Sequence, residues 1–244
     1  MIKLVSFDLD DCLFDSTGLS RRARIKGLDA MRNLGLEIER EKAIQILMEI
    51  CLEYGSNFSF HYDLFIRRLN EVEEGFNISY NLSDKYVAAA VMAYHKEKID
   101  SINVYEDVKP CLMKLKEFDI RTAIISDGLP KKQYEKILRL NIDDLIDLVV
   151  ISDQFGIRKP NPKLFEFCLR KFGVKGEETI YIGDRLEKDI VPARKNGINT
   201  VYIHRGGKYD YLKPEIEKSV DIKPDYEIND LNEIFLIIEE FNKN

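Results

Sequence analysis

Short apolar runs recur along the chain and are separated by stretches with helical spacing. Each run is rich in β-branched or aromatic residues and is followed by small or polar residues, which is typical of buried parallel strands. The runs are Ile2–Phe7, Thr122–Ile125, Leu148–Ile151, Thr179–Ile182 and Thr200–Ile203. Between them, Val108–Phe118 forms one apolar helical stripe, and Asn161 followed by Pro162 predicts a helix start with Pro162 as its first residue. This alternation predicts an open, doubly wound α/β domain with a parallel sheet.

One long segment, from Ser16 to Asp100, lacks a strand pattern and has four apolar stripes with helical spacing. The stripes are Leu28, Met31 and Leu34; Ala43, Ile46, Leu47, Ile50 and Tyr54; Leu64, Phe65, Leu69 and Val72; and Val87, Ala90, Val91 and Tyr94. We therefore expect an α/β core of residues 1–15 and 101–244, with an all-helical cap domain of residues 16–100 inserted after the first strand. The residues of Arg205–Asp221 show no clear helical or strand periodicity, so this segment is predicted to be a surface loop before the last strand.

Composition narrows the function classes. The 244 residues are 45% hydrophobic and 33% charged, which is enough apolar material for a folded core. The net charge of -6 argues against nucleic acid and anionic lipid as partners. The four cysteines form no Cys-x-x-Cys pair, and the sequence contains no signal peptide or membrane-spanning stretch, so a cytoplasmic protein is expected. The sequence leaves open whether it is a monomer or a dimer.

Polar residues follow several of the predicted strands. Asp8 and Asp10 project from the same side of the first strand end, where two carboxylates repel each other unless a cation or a shared proton relieves them. Mg²⁺ suits such a site, because it takes few protein ligands together with phosphate oxygens. Ser126-Asp127-Gly128 follows the second run and offers a hydroxyl and free N–H groups to an anion. Lys159, in a loop bounded by prolines, supplies a compact positive charge.

A fourth motif, Gly183-Asp184 with Asp189 five residues later, follows another predicted strand. Taken singly, each motif has an ordinary explanation, such as a polar turn, a solvated lysine or a helix N-cap. Together they follow strands of one sheet, at the edge where open α/β sheets bind ligands. We therefore expect one site that holds a divalent cation and a phosphate group.

The order of these motifs resembles the haloacid dehalogenase superfamily, whose pattern is Asp-x-Asp, then Ser or Thr, then Lys, then Gly-Asp-x-x-x-x-Asp. The match covers essentially the whole predicted core, and the helical insertion lies where capped members of the family carry their cap. The resemblance is specific for fold and chemistry and says little about the substrate.

The resemblance implies a magnesium-dependent phosphohydrolase in which Asp8 is the nucleophile that forms an aspartyl-phosphate. Asp10 is then the general acid and base, and its main-chain carbonyl also contacts the metal. The implied residues of the substrate and phosphate site are Ser126, Asp127 and Lys159. The metal ligands implied are Asp8, Asp10 and Asp184, and Asp189 supports them. Small members of the family suggest a small phosphorylated metabolite as substrate, and glyceraldehyde 3-phosphate is the candidate that this similarity favours.

Three alternatives share parts of this pattern. A 2-haloacid dehalogenase attacks carbon, uses no metal and lacks an acid at the position of Asp10. A phosphomutase uses the same core residues. A response-regulator receiver is a phospho-aspartate signalling module about half this length, with its acceptor after the third strand, where this chain has Ser152-Asp153.

Basic residues of the predicted cap are further candidates for substrate contact, although a solvated helix face is the simpler interpretation. These candidates are Arg21, Arg22, Arg24, Arg67 and Arg68, with His61 and Tyr62 near the last two. Cys12, beside the acid pair, is interpreted as a small residue that packs the turn. The cap is expected to close over the site and to select the substrate.

Overall fold

The computed structural model describes residues 1–219 and 223–243. The chain divides into two compact units. One consists of Met1–Thr17 and Ile102–Asn244, and the other is Gly18–Ser101.

The first unit is built on a parallel sheet. Its strands within the described residues are β1 (Leu4–Phe7), β2 (Arg121–Ser126), β3 (Leu148–Ile151), β4 (Thr179–Gly183), β5 (Asn199–Ile203) and β6 (Tyr226–Ile228). Their order across the sheet is β3-β2-β1-β4-β5-β6, and every neighbouring pair is parallel. The chain first winds from β1 towards β3 and then returns to place β4 beside β1, so β1 and β4 flank the switch point where such sheets bind ligands. The predicted fold class is confirmed.

The helices are α1 (Ser16–Asn33), α2 (Arg40–Tyr54), α3 (His61–Glu71), α4 (Tyr80–Asp100), α5 (Val108–Glu117), α6 (Pro130–Leu140), α7 (Lys163–Phe172), α8 (Val191–Arg194), α9 (Lys208–Ser219) and α10 (Ile234–Lys243). Helix α7 begins one residue later than predicted. The Asn161 side chain accepts a hydrogen bond from the N–H of Lys163 at 3.0 Å, so Pro162 precedes the first helical residue.

Helix α9 corrects the prediction of a surface loop over Arg205–Asp221. Val220 and Asp221, at the end of that segment, lie outside the described residues. The sequence does not predict this helix, because Pro214 lies in its interior and the segment contains few apolar residues. Tertiary contacts stabilise it: Ile216 packs against a small buried cluster, and Lys213 pairs with Glu227 of β6 at 2.9 Å.

The helical unit has a core of its own, formed by the apolar stripes of its helices. Several residues at the ends of the predicted stripes are exposed instead, namely Leu34, Tyr54 and Val72. Each lies at or just beyond the last residue of its helix, where the stripe no longer faces the core. Val91, within α4, is also partly exposed.

Among the described residues, we find no helix with the length and apolar character needed to cross a bilayer.

The basic residues of this unit differ in their surroundings. Arg21, Arg22 and Arg67 are exposed, whereas Arg24 is buried and donates to the carbonyl of Ser56 at 2.9 Å. The solvated-face interpretation is therefore wrong for Arg24, because its guanidinium ties α1 to the loop after α2. Arg68 is half-buried and forms ion pairs with two glutamates of α2, Glu49 and Glu53. His61 and Tyr62 are buried.

The sheet's core is expected to depend on the apolar face of α7. Leu164 is fully buried in a cluster with Leu4, Ala123 and Val150 of the sheet. Replacing Leu164 with Ala should lower the free energy of unfolding by about 2–5 kcal/mol, because the change removes buried contacts and leaves a cavity. Urea denaturation measures this loss. Leu236→Ala on α10, where the side chain is 71% exposed, is the matched control and should change stability little. Equal losses in the two variants would contradict the assigned packing of α7.

Candidate functional site

Asp8 occupies the position directly after β1. The N–H of Asp8 donates to the carbonyl of Ile182 at 2.9 Å, which extends the pairing of β1 with β4 by one residue. This pairing brings Asp8 beside the end of β4, where Gly183 and Asp184 follow Ile182. The Asp8 side chain is buried, and its Oδ1 accepts a hydrogen bond from Lys159 Nζ at 2.6 Å.

Lys159 is buried between two carboxylates. Its ammonium group contacts Asp8 Oδ1 at 2.6 Å and Asp189 Oδ1 at 2.7 Å, and the hydroxyl of Tyr181 lies 3.3 Å from Nζ. The backbone N–H of Lys159 donates to Asp127 Oδ1 at 2.9 Å, so Asp127 holds the loop that carries the lysine. Burial works against the positive charge, but Asp189 and Asp8 outweigh it and raise the pKa of Lys159. The lysine is therefore a fixed cation between the ends of β1 and β4.

Asp8, Asp184 and Asp189 form a buried acidic cluster, and one oxygen from each lies within 4.8 Å of the others. Asp189 is held by hydrogen bonds from Lys159, Tyr181 and the N–H of Arg185. Asp184 Oδ1, by contrast, is buried and has no hydrogen-bond partner among the residues that the structure describes. An unpaired buried carboxylate oxygen is costly unless a cation or a ligand meets it.

The charges of this cluster test whether a divalent cation fits. Lys159 supplies one positive charge to the three carboxylates, which leaves an excess of negative charge in a buried place. Burial raises the pKa of Asp8 to about 7, Lys159 opposes this increase, and Asp189 adds to it. Burial, followed by repulsion from Asp189 and Asp8, raises the pKa of Asp184 well above its ordinary value. Oxygen ligands, excess negative charge and an unpaired Asp184 oxygen suit a hard divalent ion such as Mg²⁺.

The carboxylate of Asp10 has different partners from those of Asp8. Lys136 Nζ lies 2.7 and 2.8 Å from its two oxygens, and Gln133 Nε2 donates to Oδ2 at 3.0 Å. Burial works against the negative charge, but the ammonium of Lys136 outweighs it, so the pKa of Asp10 is lowered. The positive φ of 62° at Asp11 turns the chain back, and a bridge then joins Asp10 to Phe14. Asp10 therefore belongs to the same site while its side chain lies outside the acidic cluster.

Gln133 also contacts the predicted phosphate-binding residue Ser126. Its Nε2 donates to Ser126 Oγ at 2.6 Å and to the carbonyl of Asp127 at 3.1 Å. Because the serine hydroxyl accepts this bond, its own hydrogen remains available for another acceptor. Sequence reasoning missed Gln133 and Lys136, since polar residues on a helical stripe after Ser126 resemble a solvated face. Only the packing of α6 against the ends of β1 and β2 identifies them.

A cavity of about 120 Å³ lies over these strand ends. Its lining residues are Asp8, Asp10, Asp11, Ser126, Asp127, Lys159, Arg185, Lys188 and Tyr209. The predicted residues Asp8, Asp10, Ser126, Asp127 and Lys159 thus share one cavity. Asp184 and Asp189 lie beside it through their cluster with Asp8. Arg185, Lys188 and Tyr209 were missed: the first two lie inside the Gly183–Asp189 motif, and Tyr209 belongs to the helix that the sequence hid.

Two neighbouring residues are unsuited to nucleophilic attack. Cys12 is fully buried, and burial raises its pKa well above the ordinary thiol value, so it packs the turn as predicted. Asp153, at the position where a receiver would carry its acceptor, forms two hydrogen bonds with Arg158, each of 2.9 Å. Those bonds lower the pKa of Asp153. Asp8, unlike Asp153, contacts the buried Lys159.

Comparisons with known proteins agree with this fold. The family model of haloacid dehalogenase-like hydrolases matches residues 5–203. The glyceraldehyde 3-phosphate phosphatase of Methanopyrus kandleri is 42% identical over the full length of both chains. That of Pyrococcus furiosus is 40% identical and is matched over 99% of this chain and 95% of its own. The magnesium-bound HAD-hydrolase YfnB of Bacillus subtilis has a similar structure, with a TM-score of 0.62, 17% identity and 97% and 98% of the two chains covered.

The chain belongs to the haloacid dehalogenase-like hydrolases. The full-length relatives carry the name of a phosphatase, and this confirms the predicted enzyme class, a phosphoric monoester hydrolase.

The site requires glycine at position 183, because a larger residue there would collide with Asp189. A Cβ at Gly183 would lie 2.5 Å from Asp189 Oδ2 and 2.6 Å from Asp189 Cγ. Gly183→Ala should therefore displace the Asp189 carboxylate, loosen its contact with Lys159 and lower the free energy of unfolding by about 1–3 kcal/mol. Thermal unfolding measures the loss of stability, and phosphatase assays report the effect of the displaced carboxylate on the site. Gly207→Ala is the control, since a Cβ there meets no atom within 4 Å. Wild-type stability in Gly183→Ala would show that the Asp189 contact is not constrained as described.

Proposed function

We propose that this protein is a magnesium-dependent phosphohydrolase that cleaves a small phosphorylated metabolite through an aspartyl-phosphate on Asp8. The observation that carries the proposal is the buried contact of 2.6 Å between Lys159 Nζ and Asp8 Oδ1 at the base of the cavity. The ammonium offsets charge on both the carboxylate and an approaching phosphoryl group, so that two anions can meet.

Asp8 acts as the nucleophile in the first half of the reaction. One of its carboxylate oxygens forms a bond to phosphorus, and the bond from phosphorus to the ester oxygen breaks. The negative charge of the bound phosphate ester opposes the effect of Lys136 and favours the protonated form of Asp10. Asp10 then gives its proton to the departing oxygen and becomes a carboxylate. The alcohol product leaves, and the phosphoryl group stays on Asp8.

Water completes the cycle. The Asp10 carboxylate takes a proton from a water molecule, whose oxygen attacks phosphorus while the bond to Asp8 breaks. The products are inorganic phosphate, free Asp8 and protonated Asp10, so the residues return to their starting state. The hydroxyl hydrogen of Ser126, which Gln133 leaves available, and the ammonium of Lys159 hold the phosphoryl oxygens in both halves.

The metal would be held by the carboxylates of Asp8 and Asp184 and by the main-chain carbonyl of Asp10, with Asp189 in support through its bonds to Lys159 and Arg185. When bound, Mg²⁺ offsets the negative charge of the carboxylates and of the phosphoryl group.

Glyceraldehyde 3-phosphate is the proposed substrate. Two relatives at 42% and 40% identity, matched over nearly the whole chain, carry that substrate in their names. A screen of phosphorylated metabolites against the purified protein, with inorganic phosphate release as the signal, tests this choice. A clear preference for another ester would leave the reaction class intact and replace the substrate.

Asp8→Asn should abolish turnover while the protein stays folded, because the amide has the shape of the carboxylate but is a poor nucleophile. We expect kcat to fall by about 10³-fold or more, since the loss of a nucleophile has effects of that size. Phosphate release measures kcat, and circular dichroism checks the fold. Asp143→Asn, at an exposed position of the same unit, is the control and should keep wild-type activity. Residual activity above about one part in a hundred would contradict the role of Asp8.

Asp184→Asn tests the metal site separately. The amide removes one negative charge from the cluster, so the Mg²⁺ concentration for half-maximal activity should rise by about 10-fold or more. A titration of activity with Mg²⁺ measures this, and a weaker thermal stabilisation by added Mg²⁺ should accompany it. An unchanged Mg²⁺ requirement in Asp184→Asn would remove Asp184 from the proposed ligands.

A further inference from the structure

The cations that line the cavity differ in their partners. Lys159 contacts Asp8 and Asp189, and Lys188 Nζ pairs with Asp127 Oδ2 at 3.2 Å. Arg185 has no carboxylate within ion-pair distance in the described part of the chain, and its Nε is buried without a hydrogen-bond partner. The Arg185 guanidinium therefore has no carboxylate partner among the described residues, whereas each of the two lysines pairs with at least one carboxylate.

Tyr209 fixes the position of this guanidinium. The Cζ atom of Arg185 lies 4.3 Å from the centre of the Tyr209 ring, and both residues line the cavity. Stacking on an aromatic ring orients the guanidinium plane and leaves the N–H groups at its edge free to donate. An arginine held in this way is prepared to bind an oxygen acceptor.

Burial separates the cavity into two sides. Asp8, Ser126 and Lys159 are buried, whereas Arg185 and Tyr209 are only partly buried. In phosphoryl transfer, the leaving oxygen departs roughly opposite the attacking one. With Asp8 at the buried side, the leaving group of the substrate faces the side where Arg185 lies.

We propose that Arg185 determines specificity by donating hydrogen bonds to an oxygen of the leaving group, as found in a carbonyl, hydroxyl or carboxylate. The proposal rests on the proposed phosphatase function and adds a class of substrate to it: small phosphate esters with an oxygen near the ester carbon. A site that donates to such an oxygen discriminates against esters that lack one, because the buried donor then stays unpaired.

The test compares two phosphate esters in the Mg²⁺-supplied enzyme. Glyceraldehyde 3-phosphate, or the best polar ester of the metabolite screen, has oxygen acceptors in its leaving group, while phenyl phosphate has an apolar one. Arg185→Met should lower kcat/KM for the polar ester by about 10- to 100-fold, mainly through KM, because a charge-assisted hydrogen bond is lost. For phenyl phosphate the change should stay below about 3-fold.

Matched variants show whether charge or geometry is responsible. Lys208→Met removes an exposed cation 5.8 Å from the same Tyr209 ring and should leave kcat/KM unchanged for both esters. Arg185→Lys keeps the positive charge but lacks the planar guanidinium, so it should retain only part of the preference for the polar ester. Tyr209→Leu removes the stacking partner and should also reduce the preference, which gives a second measurement if Arg185→Met does not fold.

The outcomes separate this proposal from the phosphatase function. Equal losses for both esters in Arg185→Met would overturn it, because Arg185 would then serve the phosphoryl group that both share. Unchanged kinetics for both esters would also overturn it. Failure of the wild-type enzyme to hydrolyse any ester would instead contradict the proposed function itself.

Discussion

The site depends on one buried ammonium group. Lys159 lies between the carboxylates of Asp8 and Asp189, each within 2.7 Å of its Nζ. Without this cation, two carboxylates and the neighbouring Asp184 would lie together in a buried place, where their mutual repulsion would oppose the close approach of the ends of β1 and β4. The lysine therefore connects the stability of this edge of the sheet with its chemistry.

The sheet supplies the geometry that makes such a cluster possible. Parallel strands that are in register end at the same edge, so residues far apart in sequence come together. The pairing of Phe7 with Ile182 fixes Asp8 against the end of β4. The switch point between β1 and β4 leaves space above these ends, and the loop carrying Lys159 enters it. The cavity is a consequence of the strand order.

Helix α6 connects the acid-base residue to the phosphate-binding residue. Gln133 donates to both Asp10 and Ser126, and Lys136 holds both oxygens of Asp10. The Asp10 carboxylate thus has an environment different from that of Asp8, with an opposite shift of its pKa. Lys136 thus favours the ionised form of Asp10, which is the form that takes a proton from water in the second half of the proposed reaction.

The sequence by itself determined the parallel α/β sheet and the residues that follow its strands, because buried β-branched runs and strand-end polar residues are local patterns. It also indicated that Asp8, Ser126, Lys159 and Asp184 share an edge, since that follows from strand direction alone. Only the tertiary structure decided the partners of each side chain, because contacts such as Gln133 with Ser126 depend on how a helix packs on the sheet. Helix α9 was hidden for the same reason: its apolar residues are few, and packing of Ile216, not local spacing, stabilises it.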